Sequence, residues 1–157
     1  KQRTKAAVAF QQALNQVCIY LAKAIARDGE GASKLIEVVV NGALSLASAK
    51  LAARTVVSSS LVKAAVHGSD PNWGRIIAAL GRSGANVVES KIDISIGGIR
   101  FVKNGIALPL DKKKVVEALK GSETSIGINL NLGRATATAW GCDLSSEYVT
   151  INSAYTT

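Results

Sequence analysis

The sequence predicts a layered α+β fold, and three patterns carry that prediction. Residues 5–27 place Phe10, Leu14, Val17, Cys18, Leu21 and Ile25 on one helical face. Residues 35–40 form a β-branched run that is apolar on both faces apart from Glu37, as an inner strand requires. The second half alternates instead: Ile92, Ile94 and Ile96 interleave with polar residues, and so do Ile126, Ile128, Leu130 and Leu132. Helical patterns dominate early and short strands with turn signals follow, which is a layered α+β order.

The elements follow in turn. Gly29 stops the first helix by taking a left-handed conformation, and the strand at 35–40 leads to a second helix over about 43–57. That helix is rich in Ala and Ser, so it can lie close against another layer. Ser58–Ser60 breaks the pattern before a short helix at 61–67. Asp70 caps the next helix, with Pro71 at its first position, where a missing N–H costs nothing. Ile76, Ile77 and Leu80 give it a buried stripe, and Gly81 and Gly84 end it. Gly97-Gly98 and Asn104-Gly105 are two-residue hairpin turns joining strands at 92–96, 99–102 and 106–108, with Pro109 marking an edge. Asp111 caps a short helix ending near Leu119. The strand at 125–132 then turns at Gly133-Arg134 into a partner strand at 135–140, and Asp143 caps a last helix.

Bulk properties narrow the function. At 157 residues and 48% hydrophobic, the chain can build a core and reads as one unit over residues 1–157. No apolar run approaches the roughly 18 residues of a membrane span, and no signal or transit pattern stands at the start. The chain contains no methionine and begins at Lys1, so it is expected to be a processed product. Its net charge is +8, but the cations are scattered apart from Lys112–Lys114 and few aromatics accompany them. That pattern argues against a nucleic-acid partner and suits anionic small substrates or an acidic partner chain. Cys18 and Cys142 have no metal or redox spacing and are expected as reduced, packed thiols in a reducing compartment. No metal or cofactor is called for.

Four features carry chemistry, each with a plainer alternative. Asp28–Ala32 sets two carboxylates among glycines at a helix-to-strand junction; it is a polar turn, or a loop whose Glu30 meets a substrate ammonium. Asp70–Arg75 is a capping string with Trp73 as a packing anchor. His67, the only histidine, is a surface or satisfied side chain unless it belongs to a triad, and no spacing identifies a partner. Asn152 and Thr157 cap a helix end, or converge with a terminal carboxylate on a polar ligand such as an amino acid.

Asp28–Ala32, Ser60–Lys63, Asp70–Arg75, Trp140–Leu144 and Glu147–Thr157, taken in order across essentially the whole chain, resemble the β chain of ornithine acetyltransferases, the bifunctional glutamate N-acetyltransferases of arginine biosynthesis. The resemblance implies an α/β/β/α sandwich like that of N-terminal-nucleophile aminopeptidases. It also implies a precursor that cuts itself before a threonine in an Ala-Thr-Met-Leu type motif, into α and β chains. That threonine takes the acetyl group of N-acetylornithine, with its own amine as base, and glutamate then accepts it. An oxyanion hole on the α chain stabilises the tetrahedral intermediates.

By the same resemblance, Glu30, Asn152 and Thr157 are substrate-binding residues; Asp70–Arg75 matches a family signature, but its capping residues and Trp73 read as architectural. No Ala-Thr-Met-Leu motif occurs here, so no catalytic nucleophile is expected on this chain. The favoured explanation is a second cut in an exposed loop, with a threonine-bearing β segment still bound; a lost loop is the alternative. Alone, the chain would be inactive. The implied partners are the α chain and that segment, in an α2β2 assembly, with N-acetylornithine and glutamate as substrates. Acetyl-coenzyme A is a further substrate in bifunctional members, and the expected location is the cytoplasm, or mitochondrion or plastid in a eukaryote. The competing readings are a related self-processing aminopeptidase or amidase, and a non-catalytic scaffold or binding chain.

Overall fold

The computed structural model describes residues 4–109 and 112–154, and it is a mixed α+β arrangement built on one six-stranded sheet. Helix α1 spans Lys5–Arg27, its first turn capped by the Thr4 hydroxyl, which accepts from the Ala7 N–H at 3.2 Å. Strand β1 (Leu35–Ala43) leads into α2 (Leu46–Val57), α3 (Ser60–His67) and α4 (Trp73–Gly81). The meander β2 (Asp93–Ile96), β3 (Ile99–Lys103) and β4 (Ile106–Ala107) follows. Then come α5 (Lys112–Leu119), β5 (Glu123–Asn129), β6 (Ala135–Cys142) and α6 (Ser146–Ala154).

The strand order is β4-β3-β2-β5-β1-β6, with β1 parallel to β5 and every other pair antiparallel. One face of the sheet carries the core. Ile36, Val38 and Val40 of β1, Ile126 and Ile128 of β5, and Ile94 and Ile96 of β2 pack with Ala49, Ala52, Ala53 and Val56 of α2 and with Ile76 and Leu80 of α4. The alanines of α2 let that helix approach β1 and β6 closely: a Cβ built on Gly141 of β6 would lie 3.0 Å from Val57. The opposite face presents Glu37, Asn41, Ser125, Asn129 and Ser95, and only the C-terminal turns of α1 lie on it among the described residues, with Lys23 ion-paired to Glu37 at 3.0 Å.

Several sequence expectations meet a correction here. The first helix ends at Asp28, and the left-handed residue of the following turn is Gly31 (φ 76°) in place of Gly29. Ala43 belongs to β1, and α2 starts later, capped by the Ser45 hydroxyl. Asn72 caps α4: its side chain accepts from the Arg75 N–H at 3.3 Å, while Asp70 accepts from the Asn72 amide. Pro71 therefore precedes the helix. The strand at 135–142 pairs with β1, not with the strand before it. Residues 130–134 cross the end of β1, where the N–H groups of Leu132 and Gly133 both donate to the Gly42 carbonyl at 2.8 Å. That crossing is tight enough that a Cβ on Gly42 (φ 69°) would sit 2.2 Å from Asn129 Oδ1. Cys18 is exposed and Cys142 half-buried, both as free thiols, so Cys18 is not packed as expected. The expected cap at Asp111 lies outside the described residues.

Candidate functional site

The register of β1 against β6 sets Leu35 opposite Cys142, so the loop entering β1 and the segment leaving β6 meet at one end of the sheet. Residues 28–34 and 143–152 form the site there. The Ala32 N–H donates to the Gly29 carbonyl at 2.8 Å, closing a turn with Glu30 at its tip and Gly31 in the left-handed region that the turn requires. The turn presses on the first residues of α6, since a Cβ on Gly31 would lie 2.6 Å from the Tyr148 nitrogen. Ser145 fastens the two: its hydroxyl donates to the Gly31 carbonyl and accepts from the Tyr148 N–H at 2.8 Å, which makes Ser145 the cap of α6.

Asn152, a turn further along, donates its amide to the Glu30 carbonyl at 3.4 Å and to the Tyr148 carbonyl at 2.8 Å. Two of the three site residues expected from the sequence, Glu30 and Asn152, are thus side by side. The third, Thr157, lies outside the described residues. The Glu30 side chain is exposed, and its carboxylate has no salt-bridge partner among the described residues.

Behind this tip lies a cluster that the sequence did not disclose. Asp143 is fully buried and accepts from the N–H groups of Ser33 at 2.8 Å and Lys34 at 2.9 Å, from the Ser33 hydroxyl at 2.5 Å, and from His67 Nδ1 at 2.8 Å. Burial pushes its carboxyl upward, but the bonds from Ser33, Lys34 and His67 together outweigh that and hold it below the usual aspartate range. Asp143 therefore fastens the loop to the end of β6 and does not cap α6. Lys34 turns the other way. Its ammonium donates to the carbonyls of Leu119 at 2.7 Å, Val66 at 2.9 Å and His67 at 3.3 Å, and to the Ser69 hydroxyl at 3.0 Å, capping the C-termini of α3 and α5. Burial lowers its pKa, and nearby Asp143 offsets part of that.

Ser33, His67 and Asp143 have the residue types of a catalytic triad but not its geometry. A relay needs the serine on one imidazole nitrogen and the carboxylate on the other. Here Ser33 Oγ (3.3 Å) and Asp143 Oδ2 both approach Nδ1, and the serine proton goes directly to the carboxylate. The cluster is a brace.

Asp70–Arg75 is a connector, as expected: Ser69 takes a positive φ, Asn72 caps α4, and Arg75 donates to the Leu61 carbonyl at 3.0 Å. Open hollows lie apart from Glu30 and Asn152. One of about 530 Å³ is flanked by Lys50, Arg54 and Trp140, and one of about 380 Å³ lies between Trp73, Phe101 and Val115. Among the described residues no His, Cys, Asp or Glu cluster suits a metal ion, and no helix is long and apolar enough to cross a membrane.

Comparison with known proteins supplies the context for this junction. A sequence profile of the ArgJ family matches residues 1–157. The arginine biosynthesis bifunctional protein ArgJ of Dehalococcoides mccartyi (strain CBDB1) is 52% identical over 98% of the chain, which spans 38% of that protein. Its counterpart in Oceanobacillus iheyensis is 53% identical over 94% of the chain and 36% of that protein. The crystal structure of arginine biosynthesis bifunctional protein ArgJ from Bacillus halodurans superposes with a TM-score of 0.94 at 44% identity, covering 99% of this chain and 73% of the solved one. The chain thus spans less than two-fifths of the length of these curated relatives.

Proposed function

The chain belongs to the ArgJ family, and on that footing we propose that it is the C-terminal part of the β chain of an acetyltransferase that moves the acetyl group of N-acetylornithine to glutamate. The nucleophilic threonine is carried by another segment of the longer protein. Its hydroxyl oxygen bonds to the acetyl carbon, the amide C–N bond breaks, and ornithine leaves with the proton. The α-amine of glutamate then attacks the acetyl-threonine ester, giving N-acetylglutamate and free threonine. An oxyanion hole on the α chain serves both tetrahedral intermediates, and the working assembly is α2β2.

This chain's share is recognition. The observation that carries the reading is the junction of Glu30 and Asn152. The carbonyl of Glu30 is tied to α6 through Asn152, and the turn's Gly31 is tied through Ser145, while the Glu30 carboxylate is exposed and has no salt-bridge partner among the described residues. A carboxylate on a fixed turn suits the free side-chain ammonium of N-acetylornithine. Asn152 offers amide groups to the polar end of the same ligand, and Thr157 closes the wall. The lengths support a processed precursor: the chain fills 38% of a curated relative but 73% of the solved chain, so that solved chain is far shorter than a full-length relative.

Product analysis of the full-length protein tests the reaction. With N-acetylornithine and glutamate together, N-acetylglutamate and ornithine should form in equal amounts, and without glutamate only about one acetyl group per site should transfer. Continuous release of acetate without glutamate would instead identify an amidohydrolase.

A further inference from the structure

We propose that Lys63 and Tyr148 are positioning residues for N-acetylornithine: the pair ties α6 to α3 and so fixes where Glu30 and Asn152 stand. The proposal rests on the reading of the Glu30–Asn152 junction as the place that receives the substrate.

Helix α6 has little core packing to set its angle, because none of its side chains is buried. Its contacts converge on Tyr148. The Tyr148 N–H donates to the Ser145 hydroxyl at 2.8 Å, and its carbonyl accepts from the Asn152 amide at 2.8 Å. Its ring stands against the Glu30 turn, with Cε2 3.5 Å from the position a Cβ on Gly29 would take. One residue thus meets the turn with its ring and holds Asn152 with its backbone.

That ring also carries a cation. Lys63 Nζ stands 5.1 Å from the ring centroid, close enough to be attracted by the π face. Lys63 is half-buried and has no carboxylate partner among the described residues. Its carbonyl accepts from the Leu144 N–H at 3.4 Å. A lysine that only solvated the surface would need neither the burial nor the second tie. Lys63 and His67 are four residues apart on α3 and share one face of it. His67 grips Asp143 at 2.8 Å. That face of α3 therefore clamps the segment 143–148 at two points, and Lys63 is the one that reaches α6.

The test compares variants of the full-length protein. Lys63→Met and Tyr148→Leu end the cation–π contact, whereas Lys63→Arg and Tyr148→Phe keep it. The readouts are steady-state kinetics and hydrogen exchange of the α6 amides. The first two variants should raise KM for N-acetylornithine by about fivefold, with kcat within about twofold of wild type. Exchange of the α6 amides should quicken by a similar factor, while those of β1 and β5 stay unchanged. Combining Lys63→Met with Tyr148→Leu should do no more than either change alone. Lys63→Arg and Tyr148→Phe should follow wild type. An unchanged KM in Lys63→Met overturns the proposal, and so does a fall in kcat with KM unmoved, the mark of a general structural role. Tyr148→Phe as damaging as Tyr148→Leu also overturns it, since the hydroxyl and not the ring would then matter. A wild-type protein that transfers no acetyl group from N-acetylornithine would instead sink the functional reading, and exchange would still decide whether Lys63 holds α6.

Discussion

Two carboxylates at the same end of the sheet are treated in opposite ways. Asp143 is wholly buried and takes hydrogen bonds from two backbone N–H groups, a hydroxyl and an imidazole. Glu30, a few residues along the loop that Asp143 holds, is exposed at the tip of a turn and has no salt-bridge partner among the described residues. The difference separates building from binding. A buried carboxylate needs its donors inside the protein, because leaving it without them would be costly. A carboxylate fixed by its backbone and left unpaired is available to a charged ligand. Three kinds of contact hold the Glu30 turn: the Asp143 brace behind, Ser145 beneath Gly31, and Asn152 on the Glu30 carbonyl.

The contrast can be broken from the buried side first. Asp143→Ala strands two backbone N–H groups and a hydroxyl at once, and should lower stability by about 3 kcal/mol, read by urea denaturation of the full-length protein. A loss below about 1 kcal/mol would mean that water or a neighbour replaces the carboxylate. Gly31→Ala comes next: φ is 76° and the new Cβ meets the Tyr148 nitrogen at 2.6 Å. The expected cost is about 1–3 kcal/mol, with weakened binding of N-acetylornithine because the turn lifts away from α6. A variant with wild-type melting and binding would show that the turn floats free of α6.

Ser33→Ala removes one hydroxyl from the brace and should cost about 1 kcal/mol while leaving turnover within about twofold. A thousandfold loss of turnover would instead make Ser33 a nucleophile. The pH dependence has a definite sign. The folded-state pKa of Asp143 is depressed, so its contribution is complete above the unfolded aspartate value of about 3.9 and is lost as pH falls through the lower folded value. The Asp143→Ala variant should therefore lack this part of the acid destabilisation, and curves of equal slope below about pH 4 would contradict the assignment.

Much of the architecture was legible because alternation and helical period are local. The strands with Ile94, Ile96, Ile126 and Ile128 bury the residues their pattern marks, and both two-residue hairpin turns take the positive φ values that Gly97-Gly98 and Asn104-Gly105 suggest. Partner choice was not legible. Nothing in the alternation of residues 135–142 distinguishes β1 from β5 as a neighbour, and the choice depends on a crossing over Gly42. Helix caps slipped by two residues at both Asp70 and Asp143, since Asn72 and Ser145 stood close by with competing oxygens. At Asp143 the deciding donors, Ser33 and Lys34, lie 110 and 109 residues away. His67 lacked a visible partner for the same reason. The stripe on α1 follows the helical period the sequence shows, yet Phe10, Leu14, Val17, Leu21 and Ile25 are exposed, because the period of a helix does not say which face meets the sheet. At the site, Glu30 and Asn152 came from a family resemblance, and their adjacency came from the fold.

The most direct measurement is the steady-state kinetics of the full-length enzyme with Glu30→Gln, read alongside its melting temperature. Glu30 takes no part in an ion pair within the described residues, so the melting temperature should stay within about a degree of wild type. Losing the charge opposite a substrate ammonium should raise KM for N-acetylornithine by about tenfold to a hundredfold, with a smaller effect on glutamate. A Glu30→Gln enzyme with unchanged KM for N-acetylornithine would contradict the account, because the exposed carboxylate on its fixed turn would then have no part in binding.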